Sequence, residues 1–340
     1  MEAKYANLCS PLVRFTVNVE TKIWPLREPF AISRGVMTQT DSVVVTLTED
    51  AGNRGWGEGC GVDYAGETTS MMLAQLEQIR PRVEAGLSRD ELSTLLPPGG
   101  ARCALDCALW DLEAKRSGKS VFAIAGIASP ARINTAYTIG IRSNDARRDA
   151  AEAYANYAVL KIKVDDNDPV AAIAAVRKGA PKPAFIVDPN QAWSVSMLKT
   201  VAPQLADLGV VLLEQPIKVG DEPGLDGYRC PVLIAADELI NDARDLEKAK
   251  GRFDVINIKL DKAGGLTEGL RMAEIARSNG FELMVGCMIG SSLSMAPALV
   301  LAQSCRFVDL DGPLLLGTDW PNGLTYTDGV IDLPDPKFWG

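Results

Sequence analysis

The chain contains no histidine. Ser-His-Asp and Cys-His catalysis cannot be built from it, nor can histidine-bearing zinc sites. Any acid or base working near neutral pH must be Lys, Asp, Glu, Tyr or Cys. A membrane-spanning run is also missing: Pro, Arg, Lys, Asp or Glu interrupts every apolar stretch well before about 20 residues. The opening MEAKYANLCSPLVRFTVNVE has no apolar signal core followed by a cleavage site. The seven cysteines form no close C-x-x-C pair, and Cys103 and Cys107, four apart on an expected helix, read as buried free thiols. The expected location is therefore cytoplasmic. Excess positive charge is lacking too. The net charge of -9 argues against nonspecific nucleic-acid binding and against an anionic membrane surface.

The 340 residues suffice for a full core and fit two domains; 47% are apolar and 23% charged, as in a folded globule. Residues 12–20 and 42–49 alternate and are β-branched, which predicts strands, with DAGNRG at 50–55 as the turn after the second. Residues 68–85 and 101–117 read as helices; in the second, Ala101, Leu105, Ala108, Leu109 and Leu112 gather near one face and Gly118 stops it. Strands followed by helices predict an α+β domain over residues 1–120. From about residue 130 short apolar strands alternate with helical stretches. Strands are expected at 134–140, 159–164, 184–188, 210–214, 232–237, 255–260, 282–286 and 306–310, and helices at 146–158, 168–178, 195–207, 242–250 and 266–279. Eight such units fit a (β/α)8 barrel better than an open sheet. The barrel is expected over 121–320, with 321–340 crossing back to the first domain.

Charges fall where the barrel strands end, and that is where such barrels carry their active sites. Asp188, Glu214 and Asp237 close three consecutive expected strands, about one β/α unit apart. A carboxylate cluster of this kind is costly unless a cation neutralises it. Three oxygen ligands without Cys or His suit Mg2+ or Mn2+. Asn190 and Glu238 lie just beyond two of them as supporting groups. The competing reading makes these acids helix caps or turn residues.

Lysines flank the cluster. Lys161 and Lys163 share one face of VLKIKV, and Lys259 lies near the end of the sixth strand. Lysines directed into a barrel beside other cations can lose proton affinity and act as bases. Lys163 and Lys259 on opposite sides of a substrate would invert a carbon. The alternative is a surface ladder of snorkelling lysines, against which the apolar setting argues. Lys262 either holds a metal-site carboxylate or extends into solvent.

Six segments carry a resemblance: K-I-K (161–163), V-D-P-N (187–190), L-E-Q-P (213–216), A-D-E (236–238), I-K-L-D-K-A-G-G-L-T-E (258–268) and G-C-M-I-G-S-S (286–292). Together they resemble the enolase superfamily, in its muconate-cycloisomerase-like subgroup. The resemblance covers nearly the whole chain. It implies a modified TIM barrel, (β/α)7β, under an N-terminal α+β capping domain. It implies Asp188, Glu214 and Asp237 as ligands of one Mg2+ per subunit, Lys163 and Lys259 as the acid/base pair, and Lys161 as holder of the substrate carboxylate or modulator of Lys163. The shared chemistry is abstraction of a proton α to a carboxylate. Homo-oligomers are common in such folds.

Within the subgroup two features lean to dipeptide epimerases, and most to those acting on L-Ala-D/L-Glu. D-L-D (309–311) resembles the Asp-x-Asp pair that receives a free α-ammonium, so Asp309 and Asp311 are expected to bind substrate. P-F-A-I-S-R-G (29–35) resembles a mobile loop whose arginine, here Arg34, receives the distal carboxylate of Glu. The cap loop 58–67 is expected to close on the substrate through Cys60, Val62 and Tyr64, and Met288 and Ile289 either to face it or to belong to the core. A role in murein peptide turnover would follow. Where many subgroup members carry an acidic residue, this chain has Gly290, which would leave more room or less charge. Epimerases of other dipeptides, N-acylamino acid racemases, o-succinylbenzoate synthases and cycloisomerases are the competing reactions. A non-catalytic barrel is the competing class.

Overall fold

The computed structural model describes residues 14–340. Positions 12 and 13 of the first expected strand lie outside the described residues. Three antiparallel strands come first, β1 (Phe15–Ile32), β2 (Gly35–Glu49) and β3 (Arg54–Cys60), paired in that order. Helices α1 (Thr69–Glu84), α2 (Arg89–Leu95) and α3 (Gly100–Ser117) follow. Thr68 and Ser88 cap the first two through their side chains, which places the starts of these helices.

β3 reads RGWGEGC and was expected in part as a turn. Its glycines instead fit a strand laid tightly on a helix. A Cβ on Gly55, Gly57 or Gly59 would overlap the backbone carbonyl of Ala108, Ala104 or Gly100 respectively. The glycines recur every second residue and their partners every fourth, so one strand face matches one helix face. α3 is consequently buried on both sides. Its far side is fastened to the barrel: Asp106 accepts from Thr267 N–H at 2.9 Å, and Arg102 Nε donates to Gly264 O at 3.2 Å.

After α4 (Val121–Ile124) and a short β4 (Ile133–Asn134) come eight parallel strands: β5 (Tyr137–Ile139), β6 (Val159–Lys163), β7 (Ala184–Asp188), β8 (Val210–Glu214), β9 (Leu233–Ala236), β10 (Val255–Lys259), β11 (Glu282–Gly286) and β12 (Phe307–Val308). They are neighbours in sequence order. The sheet closes where Ala136 N–H donates to Val308 O at 2.9 Å and Leu310 N–H to Thr135 Oγ1 at 2.8 Å. Helices α5 (Asn144–Ala153), α6 (Pro169–Gly179), α7 (Val195–Asp207), α8 (Leu246–Ala249), α9 (Leu260–Ala263), α10 (Leu266–Ser278) and α11 (Ser292–Ala302) cover it. β8 is followed only by a single 3-10 turn, Glu222–Leu225, and β12 only by α12 (Gly312–Leu315). The architecture is a modified TIM barrel of the (β/α)7β kind under an antiparallel capping sheet.

α11 carries no amphipathic pattern, because every one of its residues is buried. In the tail, β13 (Tyr326–Thr327) pairs with β14 (Val330–Ile331), and β14 pairs with β4. Trp339, fully buried, donates its indole N–H to Trp56 O on β3 at 3.0 Å.

Candidate active site

Inward-facing barrel positions change character along each strand. Ile186, Leu212, Ala235, Val255, Met284 and Phe307 form an apolar floor. Further along the same faces stand Asp188, Glu214, Asp237, Asn257, Lys259 and Asp309, with Lys161 and Lys163 on β6. The period of two keeps all of them inside, at the strands' C-terminal ends.

Buried charges persist only when paired, and here the pairing is dense. Lys161 Nζ lies 2.7 Å from Asp309 Oδ2, 2.7 Å from Glu214 Oε2 and 3.1 Å from Asp188 Oδ2. Lys163 Nζ donates to Asp188 Oδ2 at 2.6 Å and to Asn190 Oδ1 at 3.0 Å. Lys259 Nζ donates to Asp237 Oδ2 at 2.7 Å. Lys262 is buried rather than solvated and donates to Asp237 Oδ1 at 2.6 Å, so it holds a carboxylate of the cluster.

Burial opposes ionisation of Asp188 and Asp237, but the lysines around each together outweigh it, Lys163 with Lys161 at Asp188 and Lys259 with Lys262 at Asp237, and both carboxyls sit well below the usual range. Glu214 goes the other way: burial, then the nearby Asp188, raise it to about 8. Burial also opposes charge on Lys161 and Lys259, yet the surrounding carboxylates together hold both above the ordinary lysine value, Asp309, Glu214 and Asp188 for Lys161 and Asp237 with Glu214 for Lys259. For Lys259 this departs from the expected lowering of proton affinity; Lys262 is the lysine whose affinity is lowered, by burial first. The carboxylates adjoin the ammonium groups directly and exceed the effect of neighbouring cations.

Among the described residues no three carboxylates form a ready-made cage for an ion, because lysine ammonium groups stand among them. The donor set nevertheless fits a hard divalent cation. Three buried carboxylates end successive strands. Glu214 Oε2 lies near Lys161 but is not aligned to accept a hydrogen bond from any described residue. Asn257 Nδ2 donates to the other oxygen, Oε1, at 3.0 Å and orients the group.

Above the cluster lies a cavity of about 410 Å³ between barrel and cap. Lys161, Lys163, Asp237, Lys259, Met288, Asp309 and Asp311 line it from the barrel, and Arg34, Cys60 and Tyr64 from the cap. Ile289 is in the wall too; Asp188 and Glu214 lie beneath it, and Val62 is buried outside the lining. Asp309 and Asp311 do share a side. Thr138 ties both down: its N–H donates to Asp311 Oδ2 at 2.6 Å and its hydroxyl to Asp309 Oδ1 at 3.4 Å. Burial, then Asp309, raise the Asp311 carboxyl to about 7.

The segment 29–35, expected as a loop, is mostly strand. Residues 29–32 continue β1, and only Ser33 and Arg34 make the turn of a long hairpin. Arg34 Nη1 donates to Glu238 Oε1 at 2.8 Å, and its guanidinium lies 5.3 Å from the Tyr64 ring centre. Gly290 does not leave room. A Cβ there would stand 2.5 Å from Ser294 Oγ and 3.1 Å from Cys60 Sγ.

Three residues escaped sequence reasoning. Thr138 and Asn257 are polar interruptions at inward positions of apolar strands, a signal that was present. Asp261 accepts from Cys60 N–H at 2.8 Å and so fixes the cap strand to the barrel; nothing local in the sequence marks that contact.

Residues 14–126 match the mandelate racemase / muconate lactonizing enzyme N-terminal domain, and residues 145–337 match the enolase C-terminal domain-like family. The chain belongs to the enolase superfamily. It is 41% identical to the L-Ala-D/L-Glu epimerase of Escherichia coli K12, over 94% of this chain and 99% of that protein. It is 38% identical to an N-acetyl-D-glutamate racemase of a Pseudoalteromonas species, over 88% and 95%. Among solved structures, an Agrobacterium tumefaciens enolase family member with homology to dipeptide epimerases, bound to sodium and L-Ala-L-Glu, superposes with a TM-score of 0.93 at 41% identity, over 96% of this chain and all of that one. An Enterococcus faecalis dipeptide epimerase complexed with Mg and L-Leu-L-Tyr gives 0.88 at 28%, over 95% and 98%.

Proposed function

We propose that this chain is a Mg2+-dependent epimerase of L-Ala-D/L-Glu dipeptides. One observation carries the reading: Lys163 and Lys259 stand on β6 and β10, four places apart in an eight-strand order, hence on opposite walls of one buried site. A carbon placed between them can lose its α-proton to one amine and regain it from the other ammonium on the opposite face. Asp188, Glu214 and Asp237 would hold the Mg2+. When bound, that ion supplies positive charge against the enediolate that forms.

The remaining residues position the dipeptide. Lys161 holds the α-carboxylate. Asp309 and Asp311 receive the free ammonium. Arg34 at the cavity mouth takes the side-chain carboxylate, with Tyr64 and Met288 as walls. Murein peptide turnover in the cytoplasm is the setting we infer. The L-Ala-D/L-Glu relative supports the first part, and six free cysteines among the described residues suit a reducing compartment.

A second reading is racemisation of an N-acylated glutamate. The 38% identical racemase favours it, as does the engagement of Asp309 by Lys161. Incubation with Mg2+ in deuterated water separates the two. Exchange and epimerisation of L-Ala-L-Glu in excess over N-acetyl-glutamate supports the dipeptide reading. The reverse preference replaces it, and absence of α-proton exchange on both ends it.

A further inference from the structure

We propose that Glu238 is the positioning residue for Arg34 and thereby sets the preference for an acidic second residue. The inference rests on the reading of Arg34 as receptor of the substrate's side-chain carboxylate.

Arg34 sits on a two-residue turn at the far end of a hairpin. A guanidinium there loses rotamer freedom when it is fixed. Two barrel residues receive this turn. Ser33 Oγ donates to Asn190 O at 3.4 Å, and Arg34 Nη1 donates to Glu238 Oε1 at 2.8 Å. Glu238 directly follows Asp237 on the barrel rim. Its carboxylate is almost fully buried, and Asn190 Nδ2 reaches the same Oε1 at 3.4 Å. Tyr64 packs against the guanidinium from the cap side.

The pairing engages one edge of the guanidinium. Of its five donors, only Nη1 has a hydrogen-bond acceptor among the described residues. Two buried polar atoms of this same wall, Glu238 Oε2 and the Tyr64 hydroxyl, have no partner. The wall therefore holds an oriented cation with open donors, a free hydroxyl beside it, and a carboxylate behind it. An incoming side-chain carboxylate is attracted to the open edge and to the tyrosine hydroxyl. Like charge keeps it off Glu238. Glu238 thus acts on an acidic substrate only through Arg34: it fixes the direction in which the guanidinium is offered, and with it the closure of the hairpin tip over the cavity.

The test uses the Mg2+-loaded enzyme with Glu238→Ala, Glu238→Gln, Arg34→Ala and the Arg34→Ala/Glu238→Ala double variant. KM and kcat are measured for L-Ala-L-Glu and L-Ala-L-Leu, and Mg2+ affinity by calorimetry. Glu238→Ala is expected to raise KM for L-Ala-L-Glu about tenfold with a smaller effect on kcat. KM for L-Ala-L-Leu should change much less, and Mg2+ affinity should hold. Glu238→Gln, which keeps an acceptor oxygen, should recover part of the loss. In the Arg34→Ala background Glu238→Ala should add nothing further to KM. Equal KM losses on both dipeptides, additivity in the double variant, or weakened Mg2+ binding would overturn the positioning role. If Arg34→Ala itself leaves the Glu preference intact, the reading of Arg34 falls, and this inference with it. If Arg34→Ala abolishes the preference and Glu238→Ala does not move it, Glu238 alone is wrongly assigned.

Discussion

Lys163 and Lys259 are each pinned by a different carboxylate of one cluster, Lys163 by Asp188 at 2.6 Å and Lys259 by Asp237 at 2.7 Å, from opposite walls of the barrel. The site is therefore near-symmetric about the carboxylates. Each lysine has its own acid partner and its own face of whatever lies between them.

That symmetry predicts a split phenotype. Lys163→Ala and Lys259→Ala should each lose epimerisation by roughly 10²–10⁴-fold, the usual contribution of a positioned acid or base. Each should still exchange the α-proton of one epimer, the one facing the remaining lysine. Deuterium uptake from L-Ala-L-Glu and L-Ala-D-Glu, followed separately, reads this. Loss of both exchanges in either variant would mean that the two amines do not work on opposite faces.

Glu214 predicts a reversal between metal-free and metal-loaded protein. Its folded-state pKa is raised, by burial first and Asp188 second, to about 8. The stability it contributes is thus present below the unfolded carboxylate value and lost as pH rises through about 8. Glu214→Gln removes that loss. Without metal at pH 8 the variant should melt above the parent, by roughly 2–4 °C for each kcal/mol gained, and the gap should shrink toward pH 5. With Mg2+ the order should invert, because the parent gains about 2.7 kcal/mol at one hundred times Kd and the variant gains less. Melting scans with and without EDTA test both halves.

Asp311 gives a substrate-dependent pH profile. With its carboxyl raised to about 7, the anion needed to receive an ammonium is lost as pH falls through 7. For L-Ala-L-Glu, kcat/KM should fall on that acid limb. Asp311→Asn should lower kcat/KM by about tenfold or more and flatten the limb. N-acetyl-glutamate has no ammonium, so its profile should ignore the substitution. A shared limb for both substrates would assign the titration to another group.

What could be read in advance followed from periodicity. Strand ends in the barrel were legible because VLKIK, AFIVD, VVLLE and VINIK each finish an apolar run on a charge at an inward position. The cap was less so. β3 was hidden by its glycines, which signal turns locally and matter only once α3 lies against them. α11 was hidden by being apolar all round. The Arg34–Glu238 pair joins positions about two hundred residues apart, and neither has a local pattern that names the other. The proton affinity of Lys259 was hardest of all: a lysine at that strand end was legible, but not that the Asp237 carboxylate would stand 2.7 Å from it.

The glycine face of β3 should be the cap's most sensitive backbone position. A methyl at Gly57 would overlap the Ala104 carbonyl. α3 cannot retreat, because Asp106 and Arg102 bind its other side to Thr267 and Gly264. Overpacking against immobile backbone costs about 1–3 kcal/mol or more, so Gly57→Ala should lower the urea midpoint clearly. Arg54→Ala, at an exposed position of the same strand, should shift it by no more than about 0.5 kcal/mol. β3 runs directly into Cys60 and the cap loop that carries Tyr64 into the cavity. Any displacement of the strand should therefore also raise KM for the acidic dipeptide, under conditions where the variant is still folded. A Gly57→Ala protein with parental stability and parental KM would show that α3 and β3 have freedom that this packing denies them.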